Sequence, residues 1–254
     1  MLDNATQLGG ARAKLQRAEE HLGQLRSEHE RFVTERNPYR MLREMDREPQ
    51  FYVWRAKIVE PPPLERWSSI AGECLHALRS ALDHTAHELV RIKRPAAEYS
   101  EFPIFKDRSG SNGWAEKGKG KLPGVDKKVV TQVQWLQPYR RDCELDPLWV
   151  IHWLDIIDKH RRLNLVSPYL SFARYTTARE GDIADIESLA GPFEDGTPVA
   201  RFRLRGGDDV AVKTEFAFDI SFGEGILKNK PVMRSLESLM VYVGGVISRF
   251  DRFF

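Results

Sequence analysis

The stretch from Leu64 to Lys93 constrains the fold most strongly, because it combines the apolar repeat of a long helix with an unusual polar face. Leucine and alanine recur every three or four positions, which places them on one side of an α-helix. Three prolines, Pro61 to Pro63, precede the stretch, and Pro95 follows it. Since proline disrupts a helix interior, the sequence predicts one amphipathic helix with defined ends and one side against a hydrophobic core.

The other face of this helix carries imidazole, carboxylate and guanidinium groups. At 100° per residue, five polar side chains fall within an arc of about 100° and a sixth lies on its flank. They are His76, Ser80, Asp83, His84 and His87, with Arg79 at the edge. Asp83 is better placed to pair with His76 or His87 than to orient His84. This face is a candidate site, although each histidine alone is also consistent with an ordinary surface role.

Composition indicates a folded protein. The 254 residues are 41% hydrophobic, with six tryptophans and thirteen phenylalanines, which is enough for a core in one or two domains. A net charge of +2 produces no overall electrostatic field that would attract nucleic acid, so RNA binding would require a local basic patch. The chain shows no signal peptide and no long apolar run, which predicts a cytoplasmic protein without membrane contact. Cys74 and Cys143 are too few for a disulfide framework.

The first third of the chain predicts one further helix and a strand. Residues 11–33 carry an amphipathic helical pattern, and its apolar stripe must pack on the body of the protein or on a second copy. We therefore regard the segment from Leu15 to Phe32 as a candidate dimerisation helix. Residues 51–60 alternate apolar and charged side chains, which predicts a strand that ends at the prolines.

The rest of the chain predicts helices followed by strands. Helices are expected at 125–136, at 147–164 with Asp146 as the cap and Pro147 at the first helical position, and at 231–254. Strands are expected at 165–177, 198–205 and 209–222, with a turn at 206–208 between the last two. The predicted fold class is α+β, mainly α: a helical bundle with a small antiparallel sheet. Its expected parts are residues 1–60, a helical core at 61–164, and strands with a helix at 165–254 that pack with the core.

A loop rich in lysine and glycine follows the histidine helix. Residues 106–128 contain seven basic and three acidic side chains, a local charge of +4. The spacing of Lys117, Lys119 and Lys121 does not match a P-loop. The loop is either a solvated segment or a lid that binds phosphate beside the helix.

The predicted helix at 147–164 carries a second polar cluster. Asp155 and Lys159 lie four residues apart and form a stabilising pair. His160 projects among apolar side chains, so it is expected either in the core with a hydrogen-bond partner or at a cleft. If the two histidine-bearing helices pair, His84 or His76 would face Asp158, Lys159 or His160.

The spacing of Arg79 and His84 resembles the R-x4–6-H signature of the HEPN superfamily. Its members are small α-helical domains that often form dimers, and many are metal-independent endoribonucleases of toxin–antitoxin and antiviral systems. Ser80 follows the arginine, where many active members have Asn, Asp or His. Longer strings around 78–84, 102–105, 137–139 and 154–161 also resemble a group of uncharacterised bacterial proteins.

This resemblance implies a function and a set of site residues. His84 would take the proton from a ribose 2′-hydroxyl and Arg79 would bind the scissile phosphate, without a metal or another cofactor. RNA would be the substrate, and a homodimer, an antitoxin or a role in phage defence are expected. The supporting residues are His76, Ser80, Asp83, His87, Asp158, Lys159 and His160, with Lys117, Lys119 and Lys121 for phosphate binding.

Two alternatives remain open at the level of sequence. The protein could be a non-catalytic interaction or regulatory module that uses the long N-terminal helix. It could also be a metal-dependent hydrolase, with ligands from His76, Asp83, His84, His87, Asp158 and His160. Arg79 beside His84 in a basic groove would favour the nuclease, whereas burial of these residues in ion pairs would favour the interaction module.

Overall fold

The computed structural model describes residues 7–48, 51–179, 181–188, 191–205 and 211–254. The fold is α+β and mainly α, as the sequence predicts, but the described strands form two small antiparallel sheets where one was expected. It divides into two units, each built from separate segments: residues 1–25, 68–163 and 234–254, and residues 26–67 and 164–233. This division differs from the three consecutive parts expected from the sequence. None of the described helices is long and apolar enough to span a membrane.

Among the described residues, five α-helices account for most of the first unit, and the first, second and fifth of them also have residues in the second unit. They are α1 (Gly9–Arg36), α2 (Leu64–Arg91), α3 (Lys127–Trp135), α4 (Pro147–His160) and α5 (Val232–Phe250). The expected start of α4 is confirmed, because the Asp146 side chain accepts a hydrogen bond of 3.0 Å from the Leu148 amide.

The apolar face of α1 is buried within the chain. Leu8, Ala11, Ala18, Leu22 and Leu25 are at most 2% exposed. The thiol of Cys74 in α2 donates a hydrogen bond of 3.3 Å to the Ala18 carbonyl, so the two helices pack closely. Leu15 and Phe32 are half-buried, and the middle of the stripe packs within the chain, which is the first of the two alternatives expected for it, so a second copy is not needed to cover that part.

In the part of the second unit that the structure describes, seven strands form two sheets. The strands are β1 (Tyr39–Met45), β2 (Phe51–Ile58), β3 (Leu165–Thr177), β4 (Ile183–Ser188), β5 (Gly191–Pro192), β6 (Pro198–Leu204) and β7 (Val212–Phe222). One sheet has the order β1-β2-β6-β4, and the other has the order β5-β3-β7. Tyr52, Phe202 and Leu204 form part of the core beneath the first sheet.

The expected single sheet was wrong, and β6 and β7 are not neighbours in a sheet. The two strands belong to different sheets: β6 pairs with β2 and β4, whereas β7 pairs with β3. The turn expected at 206–208 lies outside the described residues. Strands β1, β4 and β5 were not predicted, because β1 and β4 are half-exposed edge strands that carry many charges and β5 has two residues.

Candidate functional site

Helix α2 separates an apolar side from a polar side, as its sequence predicts. Leu75, Leu78, Leu82, Ala86 and Leu89 are buried. The polar side does not form one cluster, because its residues contact three different parts of the helical unit. His76 contacts α4, Arg79 contacts the extended segment at 101–102, and His84 contacts α1.

The contact between α2 and α4 joins an exposed histidine to a buried carboxylate. His76 Nδ1 lies 3.0 Å from Asp155 Oδ1, and Lys159 donates a hydrogen bond of 2.6 Å to Asp155 Oδ2. Asp155 is 2% exposed, whereas 57% of the His76 side chain is exposed. The carboxylate therefore fixes the imidazole and favours the tautomer with the proton on Nδ1, which leaves Nε2 as the basic atom.

Asp158 lies beside this pair, as expected for two helices that face each other. Its carboxylate approaches Gly72 of α2 so closely that a methyl group at position 72 would overlap it. Burial, together with the nearby charge of Asp155, raises the pKa of Asp158 above its ordinary value. Two carboxylates, one imidazole and one ammonium group thus meet between α2 and α4.

Arg79 is buried in ion pairs. It is 5% exposed, and its Nη2 donates to the Phe102 carbonyl at 3.0 Å and lies 2.8 Å from Asp83 Oδ1 and 3.6 Å from Glu101 Oε1. Asp83 also accepts a hydrogen bond of 2.9 Å from the Phe102 amide. The guanidinium group therefore fastens the segment at 101–102 to α2.

These contacts correct the expected partner of Asp83. Its carboxylate pairs with Arg79 and not with His76 or His87, because the arginine lies one turn earlier on the same helix. His87 instead forms a hydrogen bond of 2.9 Å with Ser100 Oγ. Burial raises the pKa of Asp83 above its ordinary value, although the positive charge of Arg79 acts in the opposite direction.

His84 contacts the first helix. A methyl group at Gly10 of α1 would lie 2.7 Å from His84 Nδ1, so the imidazole occupies the space that the glycine leaves. Ser80, the residue after Arg79, is half-buried. Because Arg79 and His84 contact different elements, the contacts of these two side chains provide no support for a shared role on one phosphate.

His152 is a residue of this region that the sequence analysis did not single out. Burial, followed by the positive charges of Arg79 and Lys121, lowers the pKa of His152 to about 4. Its imidazole is therefore neutral at pH 7. The sequence feature that could have identified His152 is its position three residues before Asp155 in the same predicted helix. Side chains three residues apart lie on adjoining parts of one helix face.

His160 does not lie in the core. It is exposed at the end of α4, so of the two positions expected for it, the buried one is wrong. Within the described residues, no three histidine, cysteine, aspartate or glutamate side chains form a group that could hold a metal ion. The metal-hydrolase alternative therefore has no ligand set in the described part of the chain.

The lysine-rich loop is anchored to the protein by two buried side chains. Trp114 and Leu122 are each 3% exposed, and the loop contains short helical turns at Trp114–Gly118 and Lys119–Lys121. Lys121 forms an ion pair with Glu101, which links the loop to Arg79. Lys117 donates a hydrogen bond of 2.6 Å to Asn112, and Lys119 is exposed. The structure thus favours an anchored loop over a free lid.

Replacing Gly118 with alanine is expected to lower the free energy of unfolding by about 1–3 kcal/mol, because the new methyl group would overlap the buried Trp114 ring. The matched control is Gly120→Ala in the same loop, since nothing lies within 4 Å of a methyl group there. Urea denaturation of both variants measures the difference. Equal stability of the two variants would contradict the role of Trp114 as an anchor.

Comparison with known proteins gives no relative of this chain. No protein-family model, curated protein or solved structure matches it. The functional assignment therefore rests on the residues and their geometry.

Proposed function

We propose that the protein is a metal-independent endoribonuclease in which His76, and not the histidine of the R-x4-H motif, is the acid–base residue. The observation that carries this proposal is the hydrogen bond between the exposed imidazole of His76 and the buried carboxylate of Asp155. A carboxylate that orients a histidine is an arrangement used for general base catalysis. Asp155 is a positioning residue in this scheme.

The reaction needs only groups that this site supplies. His76 Nε2 accepts the proton of a ribose 2′-hydroxyl, and the 2′ oxygen attacks the adjacent phosphorus. The bond from phosphorus to the 5′ oxygen breaks, and that oxygen receives a proton from the imidazolium group. The products are a 2′,3′-cyclic phosphate and a 5′-hydroxyl. Lys159, whose side chain is half-exposed, supplies positive charge for the phosphate oxygens.

This proposal changes the roles that the R-x4-H resemblance implies. Arg79 already pairs with Asp83 and Glu101 and donates to the Phe102 carbonyl, so we assign it a structural role. His84 is outside the reacting groups. Exposed Lys117 and Lys119 supply further charge for the RNA backbone. A cytoplasmic location and a role as a toxin with an antitoxin, or in phage defence, belong to the same proposal.

The change His76→Ala is expected to slow RNA cleavage by at least about 100-fold, because it removes the proton acceptor. The control is His84→Ala, a half-buried histidine on the same helix, which is expected to keep nearly the full rate. The assay incubates purified protein with mixed RNA in EDTA and identifies the product ends. Asp155→Asn is expected to lower kcat more than it changes KM, because it favours the wrong tautomer.

Each other result of this assay assigns a different function. Loss of cleavage in His84→Ala with a normal rate in His76→Ala would place the reaction at the R-x4-H motif. Cleavage that requires an added divalent metal would favour the hydrolase. If the wild type does not cleave RNA under either condition, the ribonuclease proposal is wrong.

A second candidate, a non-catalytic interaction module, is favoured by the burial of Arg79. An arginine that is enclosed by Asp83 and Glu101 serves to fix a segment of the fold and is not available to a ligand. In that case His76 and Asp155 would only fasten α4 to α2. The cleavage assay separates the two candidates, because an interaction module leaves RNA intact.

A further inference from the structure

A hollow of about 540 Å³ lies in the helical unit, where the end of α2 meets the start of α3. We call it the α2–α3 hollow. Its apolar floor comes from three separate segments: Leu89 and Ile92 from the end of α2, Val125 and Val129 from the start of α3, and Phe253 from the turn after α5. Leu89 and Val129 are at most 5% exposed, whereas Ile92 is 48% exposed. A volume of this size is within the range of small-molecule sites, about 300–1,000 Å³.

The two main walls of the α2–α3 hollow are fixed by backbone hydrogen bonds. The amides of Lys93 and Arg94 both donate to the Val90 carbonyl, so the chain keeps a helical turn beyond the end of α2. On the other side, the Val125 amide donates to the carbonyl of buried Leu122. Because the walls are already formed, a ligand pays little to order them.

The mouth of the α2–α3 hollow carries more positive than negative charge. Lys93, Lys127 and Lys128 line it together with one acid, Asp126. Lys93 donates a hydrogen bond of 2.9 Å to Asp126, so these two charges are matched. In the described part of the chain, the exposed amines of Lys127 and Lys128 have no hydrogen-bond or ion-pair partner. Two unpaired cations therefore lie at the edge of an apolar floor.

A neighbouring hollow of about 560 Å³ shares Ile92 and Phe253 with this one but lacks the excess charge. Its charged side chains, Glu88 and Arg91, lie 3.4 Å from each other and form an ion pair. A negative group is therefore attracted to the end of the α2–α3 hollow that carries the two lysines, and an apolar chain has room to extend past Phe253.

We propose that the α2–α3 hollow binds a free, single-chain amphipathic anion of the medium-chain carboxylate type. The head group pairs with Lys127 and Lys128, and the chain covers Leu89, Ile92 and Phe253. Burial of the chain supplies most of the affinity, and the charged head fixes its direction. A membrane surface fits less well, because two unpaired lysines are fewer than the roughly four to eight basic residues that bind anionic lipid surfaces. The inference does not depend on the proposed ribonuclease activity.

Isothermal titration calorimetry of the full chain with decanoate at pH 7 tests this site. The expected dissociation constant is on the order of 100 μM. Hexanoate is expected to bind at least about tenfold more weakly, because each buried methylene group strengthens binding up to about fourfold. No binding of decanoate, or equal affinity for decanoate and hexanoate, would overturn the inference.

A double variant tests the head-group contact. Lys127→Gln with Lys128→Gln is expected to weaken decanoate binding about five- to tenfold. The matched control, Lys213→Gln with Lys230→Gln, removes the same charge from exposed positions of the other unit and is expected to bind decanoate like the wild type. Equal affinity of the two double variants would overturn the assignment of the head group to the lysine pair.

A single variant tests the apolar floor. Ile92→Ser is expected to weaken decanoate binding at least about fivefold, because it removes apolar contact with the chain. Val241→Ser is the control, since Val241 is 73% exposed and lies outside the hollow. Thermal unfolding of each variant establishes that it is folded. An Ile92→Ser variant that binds decanoate like the wild type would overturn the inference.

Vesicles of phosphatidylcholine and phosphatidylglycerol distinguish a free ligand from a lipid surface. The wild type is expected to stay in the supernatant when these vesicles are sedimented. Sedimentation with the vesicles that is lost in Lys127→Gln with Lys128→Gln, without binding of decanoate, would assign the two lysines to a membrane surface and overturn the inference.

Discussion

Replacing Arg79 with methionine is expected to lower the free energy of unfolding by about 3 kcal/mol, because it removes one partner from a buried charge network. The Phe102 carbonyl would lose its donor, and the carboxylates of Asp83 and Glu101 would lose their shared cation. Methionine keeps an unbranched side chain in the same space, so the loss reports on charge and hydrogen bonding. Urea denaturation at pH 7 measures it.

The control for this change is Arg91→Met on the same helix. Arg91 is half-exposed and pairs with Glu88 at 3.4 Å, so its removal is expected to change stability by no more than about 0.5 kcal/mol. Adding Asp83→Asn to Arg79→Met is expected to recover part of the lost free energy of unfolding. The second change removes a carboxylate that no longer has a cation beside it. If Arg79→Met is as stable as Arg91→Met, the guanidinium does not stabilise the fold, and a functional role for Arg79 becomes the better explanation.

Lowering the pH from 7 to 4 is expected to destabilise the wild type by about 3 kcal/mol more than His29→Leu, because His29 must be neutral in the folded state. Burial lowers the pKa of His29 from its ordinary value of 6.5 to about 4. The folded state therefore binds fewer protons than the unfolded chain between these values. The stability contributed by the neutral form is complete above pH 6.5 and is lost as the pH falls towards 4.

The surroundings of His29 support this prediction. Its Nε2 is buried and has no hydrogen-bond partner in the described part of the chain, and its ring lies 5.4 Å from that of Trp67. Urea denaturation at several pH values compares the wild type, His29→Leu and the exposed control His160→Gln. Titration of other groups cancels in these differences. Parallel stability curves for the wild type and His29→Leu would contradict the prediction.

Local features of the sequence determined most of the elements. The apolar repeat gave α2 within two residues of its observed end, and the Asp146–Pro147 pair gave the start of α4. Strand β3 has the predicted limits, Leu165–Thr177. These features can be recognised in the sequence because periodicity, helix caps and proline affect the backbone within a few residues of the chain. Strand β1 is different, since its charged edge lacks a clear alternating pattern.

The candidate site depended on contacts that the sequence does not encode locally. His76 and Asp155 are 79 positions apart, and their hydrogen bond exists because α2 packs against α4. The helical wheel placed Arg79 beside a polar face, but its burial and its hydrogen bond to the Phe102 carbonyl come from the tertiary structure. Both sides of α4 carry large apolar side chains, yet Leu148, Ile151 and Leu154 are buried whereas Trp149 and Trp153 are partly exposed. Periodicity determines which residues share a face, whereas tertiary packing decides which face meets the core.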